Sequence, residues 1–155
     1  MTLLLMYDFK DDAILKTALL HDTLEDTEYT YEELKEAFGS NIVDYINQLS
    51  EDKSKAWEER KRYTIEKISE LPEVSKWVLM ADKVNNLEIV KIEMLEGKLK
   101  WDKFNRGKNY QEWYFKRIYQ ELMKDEALVN HLLMDYYKEL VLFIFDGSIN
   151  KIPKI

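Results

Sequence analysis

Apolar residues recur at helical spacing along most of the chain. In the first long stretch, from Asp11 to Asp26, residues such as Ile14 and Ala18 predict the apolar face of one helix. No segment alternates apolar and polar residues as a half-buried strand would. Similar stripes predict six further helices. One ends at Phe38, the next carries Ile42 to Leu49, a third stops before Pro72 and a fourth starts near Glu73. The last two span Tyr110 to Lys124 and Glu126 to Phe145. The pattern therefore predicts an all-α fold, a compact bundle of several helices.

Local signals place some of the helix ends. Thr30 followed by Glu33 forms a capping box, and Gly39 is a natural stop for the short helix that begins there. Ser40 can cap the next helix. The chain holds only 4 Gly and 2 Pro, which suits long helices with short connections. We find no internal repeat, and we predict a single domain over residues 1–155.

Composition narrows the classes of function. The absence of Cys excludes disulfides and thiolate metal sites, and the absence of a long apolar run predicts a cytoplasmic protein. A formal net charge of −7 argues against broad binding to DNA, RNA or an anionic membrane. It leaves room for a local basic site that binds one phosphorylated small molecule. Oligomeric state is not predicted.

The first chemically informative segment combines one imidazole with three carboxylates. Glu25 lies one helical turn after His21, and Asp26 one turn after Asp22. Carboxylates this close raise each other's pKa unless a cation compensates them, and a divalent metal is the simplest such cation. His and Asp are ordinary ligands of Mn, Fe and Zn. The alternative is a solvated helix end, where acidic residues are common.

A second segment places polar groups beside core positions of a later helix. Asp82 follows the apolar Ala81, and Asn86 lies one turn further along. A buried carboxylate needs a partner. Asp82 either completes the site that begins at His21 and Asp22, or it is bonded to Lys83 or a neighbouring helix end.

Taken together, these segments resemble the RelA/SpoT-hydrolase branch of the HD superfamily of metal phosphohydrolases. The resemblance covers about half of the chain and rests on ALLHDTLEDT (18–27), FGSNIVDYINQLSEDK (38–53), ERKR (59–62) and MADKVNNL (80–87). It implies a metal-dependent hydrolase, most directly one that removes pyrophosphate from the 3′ position of (p)ppGpp. The implied cofactor is a divalent metal, Mn²⁺, and the implied partner is a guanine nucleotide.

The resemblance also assigns roles by position. His21, Asp22 and Asp82 match metal ligands. Glu25 and Asp26 match the pair that positions or deprotonates the attacking water, and Asn86 matches an asparagine that contacts the nucleotide. We add the cations Lys53, Arg60 and Lys61 as candidates for substrate binding.

One position of the family pattern is unmatched. Members carry a further histidine ligand on an earlier helix, whereas no residue before His21 is a histidine. We therefore expect an N-terminal truncation relative to the family, weak metal binding and impaired turnover. The apolar opening, Met1 to Met6, resembles the end of that earlier helix. The remaining histidine, His131, has apolar neighbours and is predicted to be structural.

Three hypotheses stay open. The chain can be a (p)ppGpp hydrolase, an HD phosphohydrolase that acts on another nucleotide, or a degenerate HD module that binds a nucleotide or partner without catalysis. A basic and aromatic run (Lys98, Lys100, Trp101, Lys103, Phe104, Arg106, Lys108) is either a phosphate-steering surface or a solvated loop with its two rings in the core.

Overall fold

The computed structural model describes all residues from 1 to 155, and they form helices and turns without a strand. The predicted all-α fold is confirmed. The helices are α1 (Thr2–Met6), α2 (Asp12–Leu20), α3 (Thr23–Asp26), α4 (Tyr31–Phe38), α5 (Ser40–Leu49), α6 (Trp57–Lys67), α7 (Glu73–Leu95), α8 (Lys108–Leu122) and α9 (Leu132–Phe145). Two short 3₁₀ turns lie at Ile68–Glu70 and Trp101–Lys103. None of these helices combines the length and the apolar character needed to cross a bilayer.

Of the two side-chain caps that the sequence predicts, one forms: the prediction for Ser40 is wrong, because α5 has Gly39 as its N-cap and no side-chain cap. The capping box is present, with Thr30 accepting from the amide of Glu33 and the Glu33 carboxylate accepting from the amide of Thr30. Gly39 has a φ of 85°, which a side chain would disfavour. This conformation lets α5 follow α4 with no further linker.

Two predicted helices differ from the structure, and both differences occur at a histidine. The stretch from Asp11 to Asp26 is two helices, because α2 ends at Leu20 and α3 begins at Thr23. The last helix starts at Leu132 rather than at Glu126, and turns occupy residues 125–130. In both places an imidazole bonds to a main-chain group at the helix end, as described below.

Contacts divide the chain into two compact units, Met1–Ala81 and Asp82–Ile155, with the boundary inside α7. In the first unit, α5 packs against α2, α3 and α4. The unit also contains an edge-to-face contact between Phe9 and Trp77, whose ring centroids are 4.8 Å apart. Its core consists mainly of Leu4, Ile14, Ala18, Leu34, Ile42, Val43, Ile46, Trp57, Ile65, Ile68, Val78 and Met80. The first unit thus supports the junction of α2 and α3, where the predicted site begins.

In the second unit, α8 packs against α9. Trp113, Tyr114 and Ile118 of α8 are buried, so this aromatic stripe belongs to the core, as its helical spacing indicates. Tyr137 is fully buried, and its hydroxyl donates to the carbonyl of Phe115 at 3.1 Å. Burial raises the pKa of Tyr137 well above its usual range. The phenol is therefore a neutral, structural donor.

Candidate active site

His21 and Asp22 lie in the short break between α2 and α3. The Nδ1 atom of His21 donates to the carbonyl of Ala18 at 3.1 Å, because a carbonyl can only accept. This bond fixes the orientation of the ring at the end of α2. The other ring nitrogen, Nε2, lies 3.1 Å from Oδ2 of Asp22. An imidazole nitrogen and a carboxylate oxygen are therefore adjacent in this break.

This pair has the chemistry of two metal ligands. A ligating histidine usually donates its second N–H to a carbonyl or carboxylate, as His21 does. Two adjacent ligands at about 2.1 Å from an octahedral ion are about 3.0 Å apart, close to the separation between Nε2 of His21 and Oδ2 of Asp22. The set is nevertheless small, because the structure contains no group of three or more His, Asp or Glu side chains arranged to hold a metal ion.

Glu25 and Asp26 are carried by α3, directly after this pair. The carboxylate of Glu25 is largely enclosed, with 19% of its side chain exposed, and its Oε1 accepts from the amide of Glu51 at 2.8 Å. Asp26 is 63% exposed and accepts from Nζ of Lys53 at 2.6 Å. The two neighbouring acids therefore have different surroundings, although both belong to the predicted ED pair.

Lys53 joins the two acids through its ammonium group. Besides Asp26, it donates to the main-chain carbonyl of Glu25 at 2.8 Å, and it lies 3.9 Å from Oε2 of Glu25. The hydrogen bond to Asp26 raises the pKa of Lys53, and the charges of Asp26 and Glu25 add to this effect. The ammonium of Lys53 is therefore charged throughout the physiological range.

Sequence analysis missed Glu51, which is the centre of a charged cluster in this unit. Its Oε1 accepts from Nζ of Lys61 at 2.7 Å and from the hydroxyl of Thr64 at 3.2 Å. Its Oε2 accepts from Nη1 of Arg60 at 3.0 Å. A run of cations on α6 indicates that a carboxylate partner is needed, but nothing in the local sequence identifies which one. The structure thus brings the predicted Arg60 and Lys61 together around a residue that was not predicted.

Lys67 is a further cation on α6 and is half-buried. Burial lowers the pKa of Lys67, and the negative charges of Glu51 and Glu25 offset this only in part. Its ammonium lies 5.0 Å from the ring centre of Tyr63. Lys67 therefore adds a partly desolvated positive charge on the same helix as Arg60 and Lys61.

Asp82 and Asn86 lie in the second unit, on α7. Oδ2 of Asp82 accepts from Nζ of Lys83 at 2.5 Å, and Oδ1 accepts from the amide nitrogen of Asn86 at 3.2 Å. The ammonium of Lys83 also lies 5.6 Å from the ring centre of Tyr114. The carboxylate is half-buried rather than directed into solvent, and its partner is the lysine that sequence analysis gave as the alternative. The metal-binding role of Asp82 stays a prediction.

The remaining candidate groups of the second unit have structural partners. Nδ1 of His131 accepts from the amide of Leu133 at 3.2 Å and so caps α9, which accounts for the structural role predicted for this residue. In the basic and aromatic run, the ring of Trp101 packs against those of Phe104 and Phe145, each at a centroid distance of 5.6 Å. This packing favours the hypothesis of a loop with its aromatic rings in the core.

Comparison with known proteins identifies relatives that span most of the chain. The guanosine-3′,5′-bis(diphosphate) 3′-pyrophosphohydrolase MESH1 of Xenopus tropicalis is 37% identical over 133 residues, which cover 81% of this chain and 69% of the relative. The solved structure of lmo0812 from Listeria monocytogenes EGD-e has a TM-score of 0.82 and 31% identity, and covers 94% of this chain and 90% of its own.

A second solved structure belongs to a metazoan ortholog of SpoT that hydrolyses ppGpp. It has a TM-score of 0.75 and 25% identity, and the match covers 90% of this chain and 74% of that one. No protein-family model matches the chain. The likeness therefore rests on similarity to individual proteins over most of the chain.

Proposed function

The chain belongs to the family of HD-type guanosine-3′,5′-bis(diphosphate) 3′-pyrophosphohydrolases, and from this premise we propose that it hydrolyses (p)ppGpp to GDP or GTP and pyrophosphate. The observation that carries the proposal is the arrangement in the first unit. The Glu25–Asp26 pair follows the His21–Asp22 pair within one turn and is bound by Lys53. The proposed compartment is the cytoplasm.

A divalent metal, Mn²⁺ in our proposal, would be held by His21 and Asp22, with Asp82 as the third ligand that the family resemblance implies. When bound, such an ion polarises a phosphoryl oxygen and makes water a better nucleophile at neutral pH. The fixed orientation of the His21 ring, with Nε2 beside Asp22, supports the assignment of this pair.

Glu25 is the better candidate for the general base. The amide of Glu51 holds its Oε1, while Oε2 remains available for a water molecule within hydrogen-bond reach. In the reaction, the water oxygen bonds to the phosphorus that carries the ribose 3′ oxygen, and the bond between that phosphorus and the 3′ oxygen breaks. Pyrophosphate is released, and the 3′ oxygen takes up a proton to become the hydroxyl of GDP or GTP. Glu25 accepts the proton of the water, and Asp26 stays paired with Lys53 beside it.

Positive side chains offset the charge of the substrate. We assign Lys53, Arg60 and Lys61 to the phosphates and Asn86 to the nucleotide. In the free protein the three cations are paired with two carboxylates, those of Asp26 and Glu51, so most of their charge is already compensated before substrate binds. Substrate phosphates then share these cations with the carboxylates, and charge that develops during the reaction is stabilised by groups already in place.

The specific test is a comparison of substrates. Purified protein with Mn²⁺ is incubated separately with ppGpp, GTP and deoxynucleoside monophosphates, and released pyrophosphate and phosphate are measured. We expect pyrophosphate from ppGpp alone. Phosphate release from a monophosphate instead would identify a different HD phosphohydrolase and exclude our assignment.

A matched pair of variants ties the activity to the site. Glu25→Gln removes the proposed base without changing its size and is expected to abolish measurable release, whereas Glu28→Gln makes the same charge change at an exposed residue and is expected to leave turnover intact. Equal activity of both variants would rule out Glu25 as the base.

One observation favours a second candidate, a module that binds the nucleotide without cleaving it. The structure contains no set of three metal-ligating side chains. Equilibrium dialysis with ppGpp separates the two candidates. Retained, chemically intact ppGpp in the presence of Mn²⁺ would support the binding module, whereas conversion to GDP would support the hydrolase.

A further inference from the structure

Glu51 lies in the segment between α5 and α6 and is the most enclosed carboxylate of the first unit's charged cluster. Only 11% of its side chain is exposed. Three successive positions of one helical face, Arg60, Lys61 and Thr64, donate to its two oxygens at 2.7 to 3.2 Å. Both oxygens therefore have donors from α6, which holds the carboxylate at both ends.

The main chain of Glu51 contacts the proposed base directly. Its amide donates to Oε1 of Glu25 at 2.8 Å, although the two residues are 26 positions apart in sequence. Two residues later, Lys53 bonds to the carbonyl of Glu25 and to the carboxylate of Asp26. The segment therefore holds both acids of the ED pair from one side.

The bonds from α6 to the Glu51 carboxylate and the bond from the Glu51 amide to Glu25 together indicate a function for Glu51. A buried ion pair adds little to stability, because the cost of desolvating its charges offsets much of their attraction. Such a pair can nevertheless fix one local conformation. Here the side chain of Glu51 is tied to α6, which sets the position and direction of its amide. An amide directed at one carboxylate oxygen determines where the other oxygen points.

We propose that Glu51 is a positioning residue for the hydrolytic reaction. Helix α6 holds its carboxylate through Arg60, Lys61 and Thr64, and its amide holds Glu25 so that Oε2 of Glu25 faces the attacking water. The inference rests on the proposed function and adds to it a residue that contacts neither the substrate nor the metal.

The kinetic test uses Glu51→Ala and Glu51→Gln with Glu59→Ala as the control. Glu59 lies on the same helix, and its surface ion pair with Lys55 is more than half exposed. We expect Glu51→Ala to lower kcat about 10- to 100-fold, as for other losses of support around a reacting group, without raising KM, because Arg60 and Lys61 stay available to the substrate phosphates. Glu51→Gln retains an acceptor for Lys61 and Thr64 and should recover part of kcat. Glu59→Ala should match the unmodified protein.

A structural measurement keeps the inference testable without turnover. Amide hydrogen exchange by NMR reports the bond from the residue-51 amide to Glu25, and we expect faster exchange in both Glu51→Ala and Glu25→Ala. If the unmodified protein fails to hydrolyse ppGpp but the exchange result holds, the proposed function fails and the positioning contact stands.

Two results would overturn the inference. A raised KM with unchanged kcat in Glu51→Ala would place Glu51 in substrate binding instead. Unchanged exchange at residue 51 in that variant would show that the α6 anchor does not hold the amide. If Glu51→Ala does not fold, kcat, KM and amide exchange at residue 51 are measured on Glu51→Gln instead. The same two results would then overturn the inference.

Discussion

The two units use their enclosed polar side chains in different ways. In the second unit, Lys116 donates to the carbonyls of Ser148 and Lys151, His131 accepts from an amide, and Tyr137 donates to a carbonyl. In the first unit, the Glu51 carboxylate bonds to the side chains of α6, and Asp26 bonds to Lys53. These three side chains of the second unit thus bond to the main chain, whereas the charged cluster around Glu51 in the first unit consists of side chains that bond to each other.

The difference separates structural polar groups from functional ones. A side chain that bonds to a main-chain carbonyl or amide helps to satisfy a polar group of the fold itself, so the bond persists as long as the fold does. A cation paired with a partly exposed carboxylate can instead be shared with an incoming anion. The first unit therefore holds the charges that a phosphorylated substrate can use, and the predictions below probe this contrast.

The largest effect is expected at Lys116, which is 1% exposed and also donates to Glu112 at 2.6 Å. Lys116→Met keeps the apolar stem but leaves Glu112 and two carbonyls without their donor. We expect the free energy of unfolding to fall by about 3 kcal/mol in urea denaturation. The control is Lys124→Met, which removes an exposed lysine paired with Glu121. This variant should change the free energy of unfolding by less than about 0.5 kcal/mol. Similar losses of unfolding free energy in Lys116→Met and Lys124→Met would show that the bonds of Lys116 to the main chain contribute no more than an exposed ion pair.

A smaller effect is expected at Thr64, which is buried beside Glu51. Thr64→Val keeps the shape and removes one donor to the carboxylate. Hydrogen bonds to charged groups contribute about 1.5 kcal/mol or more, and we expect a loss of that size in thermal or urea unfolding. Unchanged stability would mean that Arg60 and Lys61 suffice to hold Glu51.

At His131 the expected effect depends on pH. Burial lowers the pKa of His131, and only the neutral ring can accept from the amide of Leu133. Because the folded pKa lies below the usual value of 6.5, the cap contributes fully above that pH and is lost as the pH falls through the folded pKa. His131→Ala should cost about 1 kcal/mol at pH 7.5, and His131→Asn should retain the cap. A parallel fall in the stability of His131→Asn and the unmodified protein below pH 6.5 would exclude this titration.

The smallest effect is expected at Lys67, whose pKa is lowered by burial. The unfolded chain binds more protons than the folded one between the lowered pKa and the usual 10.5, so stability rises with pH in that interval. Lys67→Met should remove this rise and leave stability at neutral pH equal or slightly higher. Urea unfolding at several alkaline pH values measures how the free energy of unfolding changes with pH. The same dependence on pH in the variant and the unmodified protein would contradict the prediction.

Much of the fold follows from periodicity and caps, because these are local properties. The capping box at Thr30 and the stop at Gly39 form as predicted. The cap predicted at Ser40 is absent. The two misplaced helix ends, the uninterrupted helix through His21 and the early start before His131, share one cause. An apolar stripe averages over several turns, whereas an imidazole that bonds to a single carbonyl or amide ends or starts a helix at one residue.

The candidate site likewise contains residues that local sequence identifies and one that it does not. The residues of each pair, His21–Asp22 and Glu25–Asp26, are adjacent in sequence, so their closeness follows from the chain itself. Glu51 was missed because its partners lie 9 to 13 residues later on α6 and 26 residues earlier on α3. Contacts at such separations are decided by packing, which no local pattern records.

The central claim is that His21 belongs to a metal site and His131 to the scaffold. Its most direct test is thermal unfolding during Mn²⁺ titration, because an ion that binds only the folded protein must raise its Tm. We predict a concentration-dependent rise in the unmodified protein and in His131→Asn, and no rise in His21→Ala. An equal rise in all three, or none at millimolar Mn²⁺ in the unmodified protein, would contradict the account.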